Sequence, residues 1–146
     1  MNKIEEFQGE YRFLSNFGDC PNGVKFEGIK YPTAEHAYQA AKTNNITDRF
    51  GISRLESPGK AKRAGSTVLL RPDWDKIKVH IMRQIVTAKF MQNPDLMAKL
   101  LSTKDAELIE GNRWGDTFWG VCNGKGENLL GKILMNIRDI LAREWI

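Results

Sequence analysis

At 146 residues, 41% hydrophobic and 27% charged, the chain fits one globular domain whose core needs no disulfide or metal staple. A net charge of +4 suits an anionic ligand but is too mild to mark a nucleic-acid binder, and the tightest basic cluster, Lys60, Lys62 and Arg63, reads as a solvated helix face. No apolar run approaches the roughly 18 residues of a membrane span, Met1 to Glu6 do not form a signal peptide, and Cys20 and Cys122 are the only cysteines, so a cytoplasmic location with reduced thiols is expected.

The first thirty residues read as extended and rich in turns. Phe13-Leu-Ser-Asn-Phe17 is either a strand end or a loop offering the Ser15 hydroxyl and the Asn16 amide to a ligand; position alone leaves both open. Turn signals follow at Gly18-Asp19 and Pro21-Asn22-Gly23. Val24 to Tyr31 then alternates at first as a half-buried strand does. Pro32-Thr33 ends that strand and opens a helix to about Lys42, with Thr33 as its cap. A short helix is expected from Pro58 to Ala64, stopping at Gly65. Pro72-Asp73 starts a long one, in which Trp74, Ile77, Ile81, Ile85 and Ala88 recur at helical spacing. Asn93-Pro94 ends it and begins the next, carrying Leu96, Leu100 and Leu101. Ala106 to Glu110 reads as a short strand entering a glycine-rich loop. The last helix, from about Asn128, shows Leu130, Ile133, Leu134, Ile137 and Leu141 as an apolar stripe. The expected fold is α+β, a helix-dominated single domain over residues 1–146 with a small β-sheet. Alternating βαβ units are missing, which argues against a doubly wound parallel sheet.

The loop at 111–128 is the most informative stretch. Together with Gly131 it holds six of the thirteen glycines, and Trp114 and Trp119 fall within it. Glycine costs backbone entropy on ordering, so this density marks a loop that turns sharply or lets backbone approach a ligand. Two nucleotide motifs fail here. Gly120 to Lys125 is one residue short of a P-loop and has Gly126 where a Ser or Thr would hold magnesium, while Gly124 to Leu129 ends on Leu where the dinucleotide fingerprint needs a small residue. What remains is a glycine-rich turn at a helix N-terminus, whose free N–H groups, aided by Lys125, suit an anion.

A second constellation lies on the helix at 33–42. Ala34, Ala37 and Ala41 form a small, close-packing face, and Glu35, Gln39 and Lys42 share another stripe flanked by Tyr38. A carboxylate, an amide, a phenol and an amine on one line can bind a polyol or sugar. The alternative is a solvated face with a Glu–Lys relationship worth about 0.2–0.5 kcal/mol. His36, His80, Cys20 and Cys122 are scattered without zinc spacing, so no metal is expected.

Arg12-Phe-Leu-Ser-Asn-Phe17, Tyr31-Pro-Thr-Ala-Glu-His-Ala-Tyr-Gln-Ala-Ala-Lys42, Arg71-Pro-Asp-Trp-Asp75 with Met82-Arg83, Asp116-Thr-Phe-Trp-Gly120, Gly124-Lys-Gly-Glu-Asn128 and Leu130-Gly-Lys-Ile-Leu-Met135 run in this order over nearly the whole chain. Together they resemble the NADAR superfamily, the YbiA-like N-glycosidases. Each match is modest; the ordered set is specific. The resemblance implies a compact, helix-rich α+β fold, no metal or redox cofactor, and cleavage of N-glycosidic bonds to ribose. The implied substrates are phosphoribosylamino-pyrimidine intermediates of riboflavin synthesis and ADP-ribose attached to guanine. Thr43 to Leu70 follows the family pattern least, and Gly65-Ser66 stands where a Gly-Arg pair is expected, which bears on phosphate binding and substrate choice.

Under that resemblance, Lys42 is expected as a Schiff-base amine with its pKa lowered by burial beside Tyr38 and the tryptophans. Glu35 would shuttle protons, and Asp116 would orient sugar hydroxyls or act as a second acid or base. Ser15, Asn16, Phe17, Tyr38, Gln39, Trp119, Gly120, Lys125 and Asn128 are the expected substrate contacts. Trp119 or Phe17 would stack on the base, with Asn16 and Gln39 at sugar or base edges. An oxocarbenium route with a carboxylic acid and a carboxylate is the alternative chemistry. The expected partner is a small ribosyl or ADP-ribosyl substrate or an ADP-ribosylated nucleic acid, for which Lys60, Lys62, Arg63 and Lys125 are the only candidate basic rim; no membrane is involved. The competing function is a non-catalytic ADP-ribose-binding module, against which the Glu35–Lys42 pair argues.

Overall fold

In the computed structural model, residues 2–144 are described, and helices dominate, as the α+β expectation requires. The β-structure is small, as expected, and is divided among several ladders. These are separate two-stranded pairs: β1 (Lys3–Ile4) parallel to β4 (Glu107–Leu108), β2 (Val24–Phe26) antiparallel to β3 (Ile29–Tyr31), and β5 (Gly111–Asn112) parallel to β6 (Val121–Cys122). The chain groups into two compact units, one of residues 16–94 and the other of residues 1–15 with 95–146.

In the unit of residues 16–94, the strand expected over 24–31 is a hairpin. Val24 and Phe26 are buried on β2, Ile29 and Tyr31 on β3, and Glu27 (φ 48°) and Gly28 (φ 87°) turn the chain between them. Two successive left-handed residues match the twist of a two-residue hairpin; a Glu in place of the usual Asn or Asp hides that turn in the sequence. Then α1 (Ala34–Ala41) begins at Thr33, whose hydroxyl accepts from the His36 N–H (3.2 Å), while the Glu35 N–H donates to the Asn16 carbonyl (3.0 Å). Every residue of α1 is buried. Around it pack α2 (Ile46–Ser53), α3 (Pro58–Gly65), α4 (Trp74–Gln92) and the hairpin. The alanines at 34, 37, 40 and 41 are at most 1% exposed, and their small size lets these helices approach closely.

The α2 helix was not expected. It carries Gly51 and the β-branched Ile46, Thr47 and Ile52, which weaken helix propensity, and it buries only Arg49 and Ile52, too little for a visible period. Its Arg49 donates to the Thr43 carbonyl (2.8 Å) and pairs with Glu27 of the hairpin turn (3.3 Å). At the far end of α4, Asn93 accepts from the Asn22 N–H (2.7 Å) and donates to the carbonyls of Gly23 (2.9 Å) and Lys89 (2.8 Å), so the helix end is fastened to the segment entering β2.

In the other unit, a 3-10 helix (Gly9–Leu14) takes the place of part of the extended N-terminal segment. The expected helices follow as α5 (Pro94–Ser102) and α6 (Leu129–Glu144). Leu130, Ile133, Leu134, Ile137 and Leu141 are all buried, and α6 packs on β4. Arg138 pins that packing by donating to the Ala106 carbonyl (2.8 Å) and the Thr103 hydroxyl (2.9 Å).

Lys89 on α4 is fully enclosed, its amine 5.2 Å from the Phe90 ring centre. Burial pushes its pKa down to about 8, against the opposing pull of the Cys20 thiol. The folded amine therefore sheds its proton near pH 8, while the unfolded one holds it to about 10.5, so folding gains stability as pH rises between these values. In urea unfolding, the stability of the native chain relative to Lys89→Met is expected to rise by up to roughly 3 kcal/mol across that window. A difference that stays flat with pH would show that the amine is not held neutral.

Candidate active site

The polar stripe of α1 is buried rather than solvated. Glu35 and Tyr38 are each 7% exposed and Gln39 4%. The Gln39 amide donates to the Glu35 carboxylate at 2.6 Å, a short, charge-assisted bond one helical turn apart. Lys42 caps the helix at its C-terminal end, with its amine 5.7 Å from the Tyr38 ring centre. Tyr38 in turn meets Trp74 of α4 in a tilted arrangement, ring centres 5.2 Å apart. Trp74 is buried and belongs to this packing. Asn16 joins the same group: its carbonyl receives the Glu35 N–H, and its side-chain amide contacts the Met82 sulfur at 3.4 Å. Phe17 follows, half-buried.

Burial lowers the pKa of Lys42; Glu35 pulls it back up, and the positive charges of Lys62 on α3 and Lys78 on α4 push it further down. The net effect enlarges the neutral, nucleophilic fraction of the amine. His36, beside Glu35 in sequence, takes no part in this. Its Nδ1 meets the Thr33 hydroxyl (2.8 Å) and its Nε2 the Leu55 carbonyl (3.0 Å), and burial lowers its pKa. It is a neutral strut that holds the segment before α3. Among the described residues, no three His, Cys, Asp or Glu side chains gather as a metal ion would need.

The remaining candidates lie in the unit of residues 1–15 and 95–146. Ser15 ends the 3-10 helix, its N–H donating to the Arg12 carbonyl (2.9 Å). In the glycine-rich loop, Asp116 Oδ1 accepts from the N–H groups of Phe118 (3.0 Å) and Trp119 (2.9 Å), and Asn112 brackets Asp116 by bonding both its N–H (3.0 Å) and its carbonyl (2.9 Å). Trp119 packs edge-on against Phe118, ring centres 4.8 Å apart. Gly120 is buried where a Cβ would run into Glu110 and Asn112. Asn128 spends its side chain on backbone, accepting from the Glu110 N–H and donating to the Leu108 carbonyl, each at 2.9 Å.

The helix N-terminus expected to offer free N–H groups to an anion does not do so. The N–H groups of Asn128, Leu129 and Leu130 are taken by the carbonyls of Gly120, Phe118 and Trp119, because the loop folds back over the start of α6. The stretch that looks like a P-loop is a turn: Cys122 and Lys125 exchange both backbone hydrogen bonds (2.8 and 3.0 Å) around Asn123 (φ 54°) and Gly124 (φ 76°), leaving Lys125 exposed at its end.

Spacing along one helix pointed to Glu35, Tyr38, Gln39 and Lys42. It did not point to Lys62, Lys78 or Gly65, which reach this group from α3 and α4. Their positions carry no signal in the linear sequence beyond the basic cluster around Lys62, which reads as ordinary solvated surface.

A family model for the NADAR domain matches residues 4–142. The chain is 41% identical over 138 residues to the N-glycosidase YbiA of Shigella boydii serotype 4 (strain Sb227), a match covering 92% of this chain and 84% of that protein. It is 39% identical over 132 residues to a riboflavin biosynthesis protein of Vibrio vulnificus (strain YJ016), covering 88% of this chain and 35% of that protein. The NMR structure of the Escherichia coli protein YbiA superposes with a TM-score of 0.84 at 37% identity, covering 99% of this chain and 88% of that one.

The Asp116 bonds separate a shaping role from a chemical one. Asp116→Ala removes the acceptor for two loop N–H groups and is expected to cost about 1–2 kcal/mol in urea unfolding, as the loss of a helix cap does. Asp116→Asn keeps the Oδ1 acceptor and should retain most of that stability. An Asn variant as damaged as the Ala variant would mean that the charge, not the cap, holds the loop.

Proposed function

The chain belongs to the NADAR domain family, and on that footing we propose that it is a hydrolase of N-glycosyl bonds, releasing an amino-linked base from ribose. The observation that carries this reading is the buried Glu35, Tyr38 and Gln39 on α1, with the half-buried Lys42 at its C-terminal cap, whose amine has a lowered pKa. Such an amine serves a covalent route. When the nitrogen is exocyclic to the base, its lone pair assists opening of the ribose ring to an imine. The Lys42 amine adds to C1 of that imine, the Glu35 carboxylate relays the two protons of that amine in turn to the base nitrogen, and the base leaves as a free amine. Water then adds to the lysine–ribose Schiff base. Glu35 relays the protons of that water to the Lys42 nitrogen, and open-chain ribose and Lys42 are released.

The substrates proposed are phosphoribosylamino-pyrimidine intermediates of riboflavin synthesis and ADP-ribosyl-guanine, free or in nucleic acid; both carry the exocyclic nitrogen this route needs. The similarity to an N-glycosidase and to a riboflavin biosynthesis protein supports the first. The charges of Lys62 and Lys78 near Lys42 suit the phosphate both share. Asp116, Trp119, Ser15, Phe17 and Lys125 keep their proposed substrate roles, for their own variants to test. We take residues 1–146 as one functional domain working in the cytoplasm.

Incubation with each substrate and mass analysis of products should find free base and ribose phosphate or ADP-ribose. Borohydride should trap the sugar on the native protein and not on Lys42→Arg; turnover without any adduct would remove the covalent route. Adduct formation should rise with pH through a midpoint below the ordinary lysine value, and Lys62→Gln should move that midpoint upward. Glu35→Gln should lose on the order of 100-fold or more in turnover; full activity would remove Glu35 from the mechanism. A nucleic-acid substrate should lose affinity steeply with added salt, a free nucleotide far less.

A further inference from the structure

We propose that Gln39 is a positioning residue that acts through Glu35, and that Gly65 is a glycine in order to leave room for it. This rests on the hydrolase reading above, in which Glu35 moves protons. The Gln39 side chain is wedged between two neighbours. On one side, its amide nitrogen donates to Glu35 Oε2 at 2.6 Å. On the other, its carbonyl oxygen is buried with no hydrogen-bond partner among the described residues. That oxygen rests against Gly65 at the end of α3. A Cβ built at Gly65 would collide with it and stand 2.7 Å from Gln39 Cδ and 2.9 Å from Gln39 Cβ, closer than such atoms pack.

Backbone conformation does not explain Gly65. It is not among the residues with positive φ, it lies within α3, and the helix is capped beyond it by Ser66 in a right-handed conformation (φ −77°). Any residue could adopt that backbone, so what the glycine supplies is space. The amide orientation follows from the same geometry. Reversed, it would set the Gln39 oxygen against an ionised carboxylate. An ionised Glu35 and this placement of Gln39 therefore select one another, and a donor on the charged form lowers the carboxyl's affinity for a proton. The unpaired carbonyl is the cost of fixing the donor at the other end.

The elements packed on α1 carry several charges. Lys42 on α1, Lys62 on α3 and Lys78 on α4 form one electrostatic group with Glu35. From α2 comes Arg49, bound to Glu27 and the Thr43 carbonyl. The hairpin brings Lys25 and Lys30, both exposed, and the Tyr31 phenol, its pKa pushed up to about 12 by burial. Gln39 is a neutral member that donates directly to the one buried carboxylate among them.

The test follows the Glu35 carboxyl by carbon-13 NMR and, in parallel, the acid limb of kcat/KM. Gln39→Met removes the donor at similar length and should move both midpoints upward by about one pH unit. Gly65→Ala adds one methyl and no polar group, yet should move both in the same direction by displacing Gln39. In a Gln39→Ala background, Gly65→Ala should add nothing further. A Glu35 titration unchanged in Gln39→Met would overturn the proposal. So would a fall in kcat equal at every pH in a variant that melts as the native chain does, since that marks a merely structural role. If the native protein releases no base from any ribosyl substrate, the hydrolase reading fails, and the carboxyl titration alone decides whether Gln39 and Gly65 set the state of Glu35.

Discussion

The unit of residues 16–94 depends on one constraint: α1 is enclosed on all sides yet carries Thr33, Glu35, His36, Gln39 and Lys42 along or beside it. A polar group taken out of water without a partner costs several kcal/mol, so a helix of this composition can be a core element only if its neighbours answer nearly all of these groups, the Gln39 carbonyl being the exception. Thr33 and the Leu55 carbonyl answer His36, Gln39 answers Glu35, and the Lys42 carbonyl receives the Arg71 N–H (2.8 Å). The alanines between them keep the packed helices close. The chemistry of the line then follows from its surroundings, because a buried carboxylate and a half-buried amine near other lysines do not behave as they would on a surface.

The glycine-rich loop solves a different problem. Its ladders are only two residues long, so side chains do the work that a sheet would otherwise do. Asn112, Asp116 and Asn128 each bond backbone at two or more points, and Gly120 and Gly126 let chain segments touch where a side chain would intrude. The density of Asn, Asp and Gly there reflects construction, whatever ligand the loop also meets.

How much of this was legible in the sequence varies with the range of the forces involved. The α1, α4, α5 and α6 helices were readable because a cap residue, a Pro or a long apolar period announced each. The α2 helix, the Glu27-Gly28 turn and β1 were not, since each is too short or too atypical for local preference to show, and tertiary contact decides them. The stripe of Glu35, Tyr38, Gln39 and Lys42 was visible from helical spacing, but not that its first three members are buried: the surface-face alternative fits the same letters. Gly65 could be read only as a helix stop, because its contact with Gln39 spans a turn, a second helix and a third.

The two ends of the 16–94 segment are fastened together, Asn22 to Asn93, while the other unit is stitched by β1 against β4, some hundred residues apart in the chain. The two units therefore differ in when they can form. Residues 16–94 are contiguous and can fold as they leave the ribosome. Lys3 and Ile4 have no strand to pair with until Glu107 and Leu108 have been made. During synthesis Lys3 and Ile4 lack this partner until the chain has passed Leu108, by which point every residue of the unit that holds Glu35 and Lys42 has been made.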